Sequence, residues 1–300
     1  VKVETDSASG TLKHRFVWAL TLWGVVERKI KANTTVYDST SGNTGASEAY
    51  MCRLIGVPYV AVVAKELEEE KVRQITQFGG TVKKVDVEKR NYWAEKLAAD
   101  NGGFFINQFG NADAAEEYHE SGNYEWESTN VFHEIARQFE AMNRSSPDYF
   151  VHSAGTGGTI SSVGKYITRY SLPTKVVMAD SQFSLFYDYV VSNNLLRTVV
   201  DEVARMPDMA TVAAMRSLQG LRIDAGASTA LNFLVSLYKA IDHQEEQRAI
   251  GGLNQTSLVF IMGDPGKFYR STYLNDTWIN TKMARFGGMK ALNCWKSNID

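Results

Sequence analysis

The sequence predicts an α/β fold built on parallel sheet, and three features carry that expectation. Short apolar, β-branched runs recur along the chain. Longer segments with helical periodicity lie between them, and glycine-rich turns stand where two of the runs hand over to helix. With 300 residues, 44% of them hydrophobic, the chain can bury a sizeable core in one large domain or two lobes.

In chain order, the first element is a helix over Leu12 to Ile30, opened by a Gly-Thr turn and aromatic-rich at its start (Phe16, Trp18, Trp23). A strand over Thr34 to Tyr37 follows, and "STSGNTGASEAY", Ser39 to Tyr50, leads from it into a second helix-like stretch. The run Tyr59 to Val63 is a strand by its β-branched content, and Glu66 to Phe78 is a helix by its period. Thr81 to Val87 and Phe104 to Asn107 are strands on the first criterion again. A helix over Asn130 to Met142 and a strand over Tyr149 to His152 precede the turn-and-helix "SAGTGGTISSVGKYI". Strands over Lys175 to Ala179 and Ser257 to Met262 bracket a helix over Thr229 to Ile241. A run of Ala, Glu and Asp interrupts the strand signal after "FINQFGN" (Phe105 to Asn111). It places a boundary between lobes of residues 1–112 and 113–300, with a cleft between them.

Composition excludes several classes. Thirty-two basic against 34 acidic residues give a net charge of -2, which leaves no electrostatic footprint for nucleic acid or an anionic membrane. Small molecules, or a second copy of the chain, are the expected partners. Cys52 and Cys294 have neither metal-ligand spacing nor the makings of a disulfide framework, which fits a reducing, cytoplasmic setting. No run of about 18 apolar residues and no signal-peptide core is present. The chain opens on Val1 rather than Met, so a missing natural start is expected.

Two segments are suited to anions. "STSGNTG" offers hydroxyls, an amide and backbone N–H groups at a helix start without a basic side chain. In Tyr149 to Ile167, the N–H groups of Gly155 to Thr159 and the Thr156 and Thr159 hydroxyls would sit where the helix dipole favours a phosphate. The dinucleotide pattern needs glycine at position 160, which is Ile, and the Walker pattern is absent, so those readings weaken. A tight turn needing glycine only for geometry is the competing explanation. "FHEIAR" has Arg137 where a zinc motif needs a second histidine, which leaves His133 as a helix-surface residue and no metal site. Gly-x-Ser-x-Gly does not occur.

Near the start, "SASGTLKHRFVWAL" places Lys13 at the opening of the first helix. Alone, such a lysine reads as a solvated side chain. In company with "TSGNTG", "NQFGN" (Asn107 to Asn111), "GTGGT", "GASTALN" (Gly226 to Asn232) and "GKFYRSTYLNDTW" (Gly266 to Trp278), in that order, it resembles the fold-type II pyridoxal-phosphate enzymes. These are the group of cysteine synthase and cystathionine β-synthase, and the resemblance covers nearly the whole chain. "SGTLKHR", "SEAYMCRLIGVPYVAVV", "RMPDMATVAAMR" and "YRSTYLNDTW" are most similar to its L-cysteine desulfhydrase branch.

The resemblance implies pyridoxal 5′-phosphate as cofactor and a two-lobed, tryptophan synthase β-like fold whose start is incomplete here. Lys13 would form the Schiff base with the cofactor and act as base at the substrate Cα. Gly155, Thr156, Gly157, Gly158 and Thr159 would hold the phosphate, and Asn43 the ring hydroxyl. Thr40, Ser41, Gly42, Thr44 and Gln108 would receive the substrate carboxylate. One departure stands out: the family usually has Ser-Gly before the C-terminal Tyr, with the serine bonding the pyridine nitrogen, whereas "GDPGKFY" has Pro265 there. Proline offers neither hydroxyl nor N–H, so that contact falls to Asp264 or a water, or is lost.

The activity implied is β-elimination on L-cysteine by way of an aminoacrylate, giving hydrogen sulfide, pyruvate and ammonia. β-Replacement, from O-acetylserine with sulfide or serine with homocysteine, uses the same site and is the nearest alternative. A sensor or binding protein of the same fold, impaired in turnover, is the alternative that Pro265 motivates. A homodimer is expected, as is closure of Ser39 to Gly45 over substrate.

Overall fold

A computed structural model describes residues 1–112, 130–184, 198–252 and 255–300. The chain divides into two compact units, Thr5–Asn130 and Val1–Glu4 with Val131–Asp300. The boundary expected at 112/113 opens a stretch that lies outside the described residues. Strand β1 (Lys2–Val3) belongs to the second of these units.

The 5–130 unit runs α1 (Lys13–Val26), β2 (Val36–Ser39), α2 (Asn43–Ile55), β3 (Tyr59–Ala64), α3 (Glu69–Thr76), β4 (Thr81–Val85), α4 (Arg90–Asp100) and β5 (Phe104–Phe105). Its four-stranded sheet has the order β4-β3-β2-β5, and every pair is parallel, with Val36 opposite Tyr59 and Val36 opposite Phe104. Parallel strands need crossover helices, which cover the sheet on both sides. On one face, Phe16, Val17 and Leu20 of α1 share a core with Ala46, Ala49 and Met51 of α2 and with Ala61 and Val63 of β3. On the other, Ala94 of α4 meets Val62 and Val85. All four residues of β2 are buried, Asp38 among them. Gly56, at φ 74°, ends α2 in the left-handed conformation that glycine adopts without steric cost.

The second unit continues with α5 (Val131–Ala141), β6 (Tyr149–Ser153), α6 (Gly158–Arg169), β7 (Lys175–Ser181), β8 (Glu202–Met206), α7 (Asp208–Gly220), α8 (Ala227–Ala249), β9 (Leu258–Met262), α9 (Asp276–Lys282) and α10 (Gly288–Ile299). Its five strands stand in the order β1-β9-β6-β7-β8, again all parallel. Val151 and Val177 pack under Leu231 and Val235 of α8. Neither β1 nor β8 carries a strand signal in the sequence, each for a physical reason. β1 is two residues long, and β8 alternates half-buried with exposed positions on the sheet edge, Val203 and Arg205 facing out.

In parallel α/β sheets, ligand sites gather beyond the carboxyl ends of the strands. Here the end of β2 leads to Thr40–Gly42 and that of its neighbour β5 to Ile106–Gln108. In the other unit, adjacent strands β6 and β9 lead to Ala154–Gly157 and Gly263–Pro265. Among the described residues, no helix is long and apolar enough to cross a membrane.

Candidate active site

In the 5–130 unit the loop after β2 is held from several directions. Thr40 extends the ladder by donating its N–H to the Val62 carbonyl at 3.0 Å. Its Oγ1 accepts from the N–H groups of Gly42 (3.1 Å) and Gly45 (2.9 Å), two of the donors a helix start leaves without partners. Having accepted twice, the Thr40 hydroxyl can serve an incoming carboxylate only as a donor. Gly42 sits at φ 128°, and a Cβ there would meet the Lys71 side chain at 2.8 Å, so conformation and space both require glycine. Gly45 is equally confined, because its Cβ would lie 2.5 Å from the Thr40 methyl. Ser41 is exposed and Thr44 buried.

Gln108 Nε2 donates to the Ser39 carbonyl at 2.7 Å, which joins the ends of β5 and β2. Three more groups meet this loop that local sequence did not reveal. Arg90 Nη1 donates to the Thr40 carbonyl at 3.2 Å, the Ser39 hydroxyl donates to Asn91 Oδ1, and Lys71 reaches Glu68 at 3.4 Å beside Gly42. The apparent absence of a cation thus held only for the local segment: α3 and α4 bring a lysine and an arginine to it. Arg90 is partly desolvated, which pulls its guanidinium below its ordinary value.

Lys13 is the first residue of α1, half-buried, with Nζ 5.4 Å from the Phe16 ring centroid. Before it, Ser7 Oγ accepts from the Thr11 N–H at 3.1 Å and donates to the Thr11 carbonyl at 2.7 Å. Gly10, at φ 79°, closes the turn onto the Ser7 carbonyl. Ser9 Oγ lies 2.8 Å from Ser47 Oγ, so the lysine turn is joined directly to the helix that begins at Asn43.

In the other unit, Gly157 caps α6 at φ 85°. The N-cap residue of this 12-residue helix supplies no side-chain bond, and no acidic residue stands in its first turn. Thr156 and Thr159 are buried beside it, with Thr156 Oγ1 accepting from the Gly158 N–H at 3.4 Å, and a Cβ on Gly155 would meet nothing within 4 Å. Open space, hydroxyls and backbone donors at a long helix's positive end fit a phosphate.

Asp264, 1% exposed, accepts from the Tyr269 hydroxyl at 2.7 Å through Oδ2, and its carbonyl accepts from the Gly226 N–H at 2.9 Å. A Cβ on Gly226 would stand 2.0 Å from Asp264 Oδ1, so only glycine admits that carboxylate. Pro265 follows at φ -81° and leads into a single 3₁₀ turn, Gly266–Tyr269. His133, expected on a helix surface, is instead half-buried, with Nδ1 3.0 Å from the Tyr166 hydroxyl where α5 packs on α6.

Comparison with known proteins bears on these sets. The family model described as pyridoxal-phosphate dependent enzyme matches residues 1–251. A pyridoxal-phosphate dependent protein of Caenorhabditis elegans is 50% identical over 99% of this chain and 77% of its own. An L-cysteine desulfhydrase of Mycobacterium tuberculosis is 31% identical over 94% of this chain and 80% of its own. Among solved structures, an O-ureido-L-serine synthase is similar with a TM-score of 0.73 at 22% identity, covering 90% of this chain and 85% of that one. A hydrogen sulfide-producing enzyme from Fusobacterium nucleatum gives 0.71 at 21% identity, over 89% and 80%. At such identities the two structures speak for the fold alone.

Proposed function

This chain belongs to the family of pyridoxal-phosphate dependent enzymes, and on that premise we propose that it cleaves the Cβ–sulfur bond of L-cysteine, releasing hydrogen sulfide, pyruvate and ammonia. Its two parallel-sheet units have the architecture of the fold-type II members. The observation that carries the reading is the similarity to an L-cysteine desulfhydrase over 94% of the chain.

The residues suit the parts the reaction needs. Bound pyridoxal phosphate supplies an electron sink for the pair released at Cα. Lys13 Nζ would carry the cofactor, take the Cα proton once displaced by the substrate amine, and return a proton to the departing sulfur. Gly155, Thr156, Gly157, Gly158 and Thr159 would hold the phosphate through backbone and hydroxyl donors, and Asn43 the ring hydroxyl. Thr40, Ser41, Gly42 and Thr44 would orient the substrate carboxylate, with Gln108 bracing their loop through Ser39. Asp264, kept in place by Tyr269, is the acidic group of the segment that carries Pro265, and we assign it to the pyridine nitrogen. Cysteine plus water balances hydrogen sulfide, pyruvate and ammonia, so no oxidant or second substrate is required.

Purified protein loaded with cofactor and given L-cysteine alone is expected to form sulfide and pyruvate in equal amounts. Lys13→Ala should lower that rate by about a thousandfold or more and abolish cofactor attachment by borohydride reduction. A new amino acid made from O-acetylserine and sulfide, with no pyruvate from cysteine, would move the assignment to β-replacement. A visible cofactor band with no turnover of either substrate would leave a binding protein.

A further inference from the structure

The start of α1 and the start of α2 are joined by a chain of hydrogen bonds whose direction the chemistry fixes. Ser47 Oγ donates to the Asn43 carbonyl at 3.2 Å. A hydroxyl has one proton, so in its 2.8 Å contact with Ser9 Oγ the Ser47 oxygen accepts and Ser9 donates. Ser9 has then spent its proton, and at 3.2 Å from His14 Nδ1 it can only accept. Nδ1 therefore bears the hydrogen. Burial, and then neighbouring Arg15, hold the His14 imidazole down to about 4, so the ring is neutral and this tautomer is the one present near pH 7. The chain runs His14 to Ser9 to Ser47 to the Asn43 carbonyl.

Threonines also hold both helix starts, Thr11 Oγ1 accepting from the Lys13 N–H at 3.3 Å and Thr40 Oγ1 from the Gly42 and Gly45 N–H groups. Leu12 caps α1 and Gly42 caps α2, and neither supplies a side-chain cap bond. The His14 ring is also clamped from outside by Tyr50 at 5.5 Å, and Tyr50 by an edge-on Phe78 at 5.4 Å. The chain begins on the residue after Lys13 and ends on Asn43.

We propose that Ser9, His14 and Ser47 are positioning residues, a one-way hydrogen-bond relay that holds the Lys13 turn in register with the helix start bearing Asn43. The proposal rests on the assignment of Lys13 as the cofactor-bearing residue. Neutral bonds of this kind contribute little to stability singly, whereas small displacements of a reacting group cost large factors in rate. A relay is broken by the loss of any link, and that gives it a signature distinct from three independent contacts.

The test uses the cofactor-loaded protein and the variants Ser9→Ala, Ser47→Ala, the double variant, His14→Phe and His14→Asn. Each alanine variant should lower kcat for cysteine cleavage about tenfold with KM changed less than about threefold, and speed cofactor release. The double variant should be no worse than either single one. His14→Phe keeps the packing on Tyr50 but loses the donor, and should match Ser9→Ala. His14→Asn places an amide N–H near the Nδ1 position and should recover most of the rate. Losses that multiply in the double variant, or a His14→Phe protein with wild-type kcat and cofactor release, would overturn the relay. Borohydride labelling mapped by peptide mass tests Lys13 independently, because a label elsewhere removes the premise whatever the double variant shows.

Discussion

Asp38 on β2 and Glu48 on α2 are both fully buried, and they flank in sequence the loop assigned to the substrate carboxylate. The Tyr59 hydroxyl donates to Glu48 Oε2 at 2.5 Å, and the two buried carboxyl groups act on each other electrostatically. Burial, and then the Asp38 charge, raise Glu48 well above its ordinary value, so Glu48 is the carboxyl held protonated. A carboxyl whose folded-state pKa lies above its unfolded one favours folding at low pH, and that advantage is lost as pH rises through the folded value. Glu48→Gln keeps the shape and the bond from Tyr59 but removes the titration. It should raise stability by about 1–3 kcal/mol at pH 8 and by much less at pH 5, as read from urea unfolding midpoints. An equal effect at both values would mean that the pair does not hold its proton. At this scale the glycine-turn loop after β2 was legible in part. Gly42, Asn43 and Thr44 stand out because a glycine turn and a helix start fall on adjacent positions. Arg90, Asn91 and Lys71 do not, because their link to the loop exists only after α3 and α4 have packed.

The elements were readable where a run is apolar on both faces or a helix follows a glycine turn. β3, β6, β7 and β9 lie within a residue or two of the expected runs, because buried parallel strands select β-branched residues continuously. The edge strand β8 escaped, as did α4, whose only buried residues are Ala94 and Ala98 and whose sequence therefore shows no apolar stripe. The start of α6 is the element whose local chemistry matters most. Gly157 at φ 85° is the single left-handed residue between β6 and α6. Gly157→Ala should cost about 1–2 kcal/mol of stability through backbone strain. It should also weaken cofactor binding by roughly tenfold as the donors turn away from a common point. Thermal melts with and without cofactor separate the two effects, and an apo-protein penalty with unchanged cofactor affinity would remove this turn from the phosphate site.

At the scale of the whole molecule, residues 1–4 belong with residues 131–300, and β1 is the outer strand of that unit's sheet. Lys2 reaches Glu134 at 2.7 Å, and the Glu4 N–H donates to the Met262 carbonyl at 3.0 Å. Deleting residues 1–4 would uncover the edge of β9, immediately before Gly263 and Asp264. The shortened protein should show faster proteolysis within residues 131–300 and little change within 5–130, whereas uniform loss of protection would mean that the strand supports both units alike. None of this was legible, because a two-residue strand has no pattern and its partner lies far along the chain. The pairing of Val3 with Met262 also sets an order of events during synthesis. β1 leaves the ribosome long before β9 and must wait, tethered and unpaired, for it, so the strands and helices of the 5–130 unit can form while this sheet is still open. Its closure is a long-range contact made only after β9 has been synthesised, and the loop bearing Asp264 is completed only then.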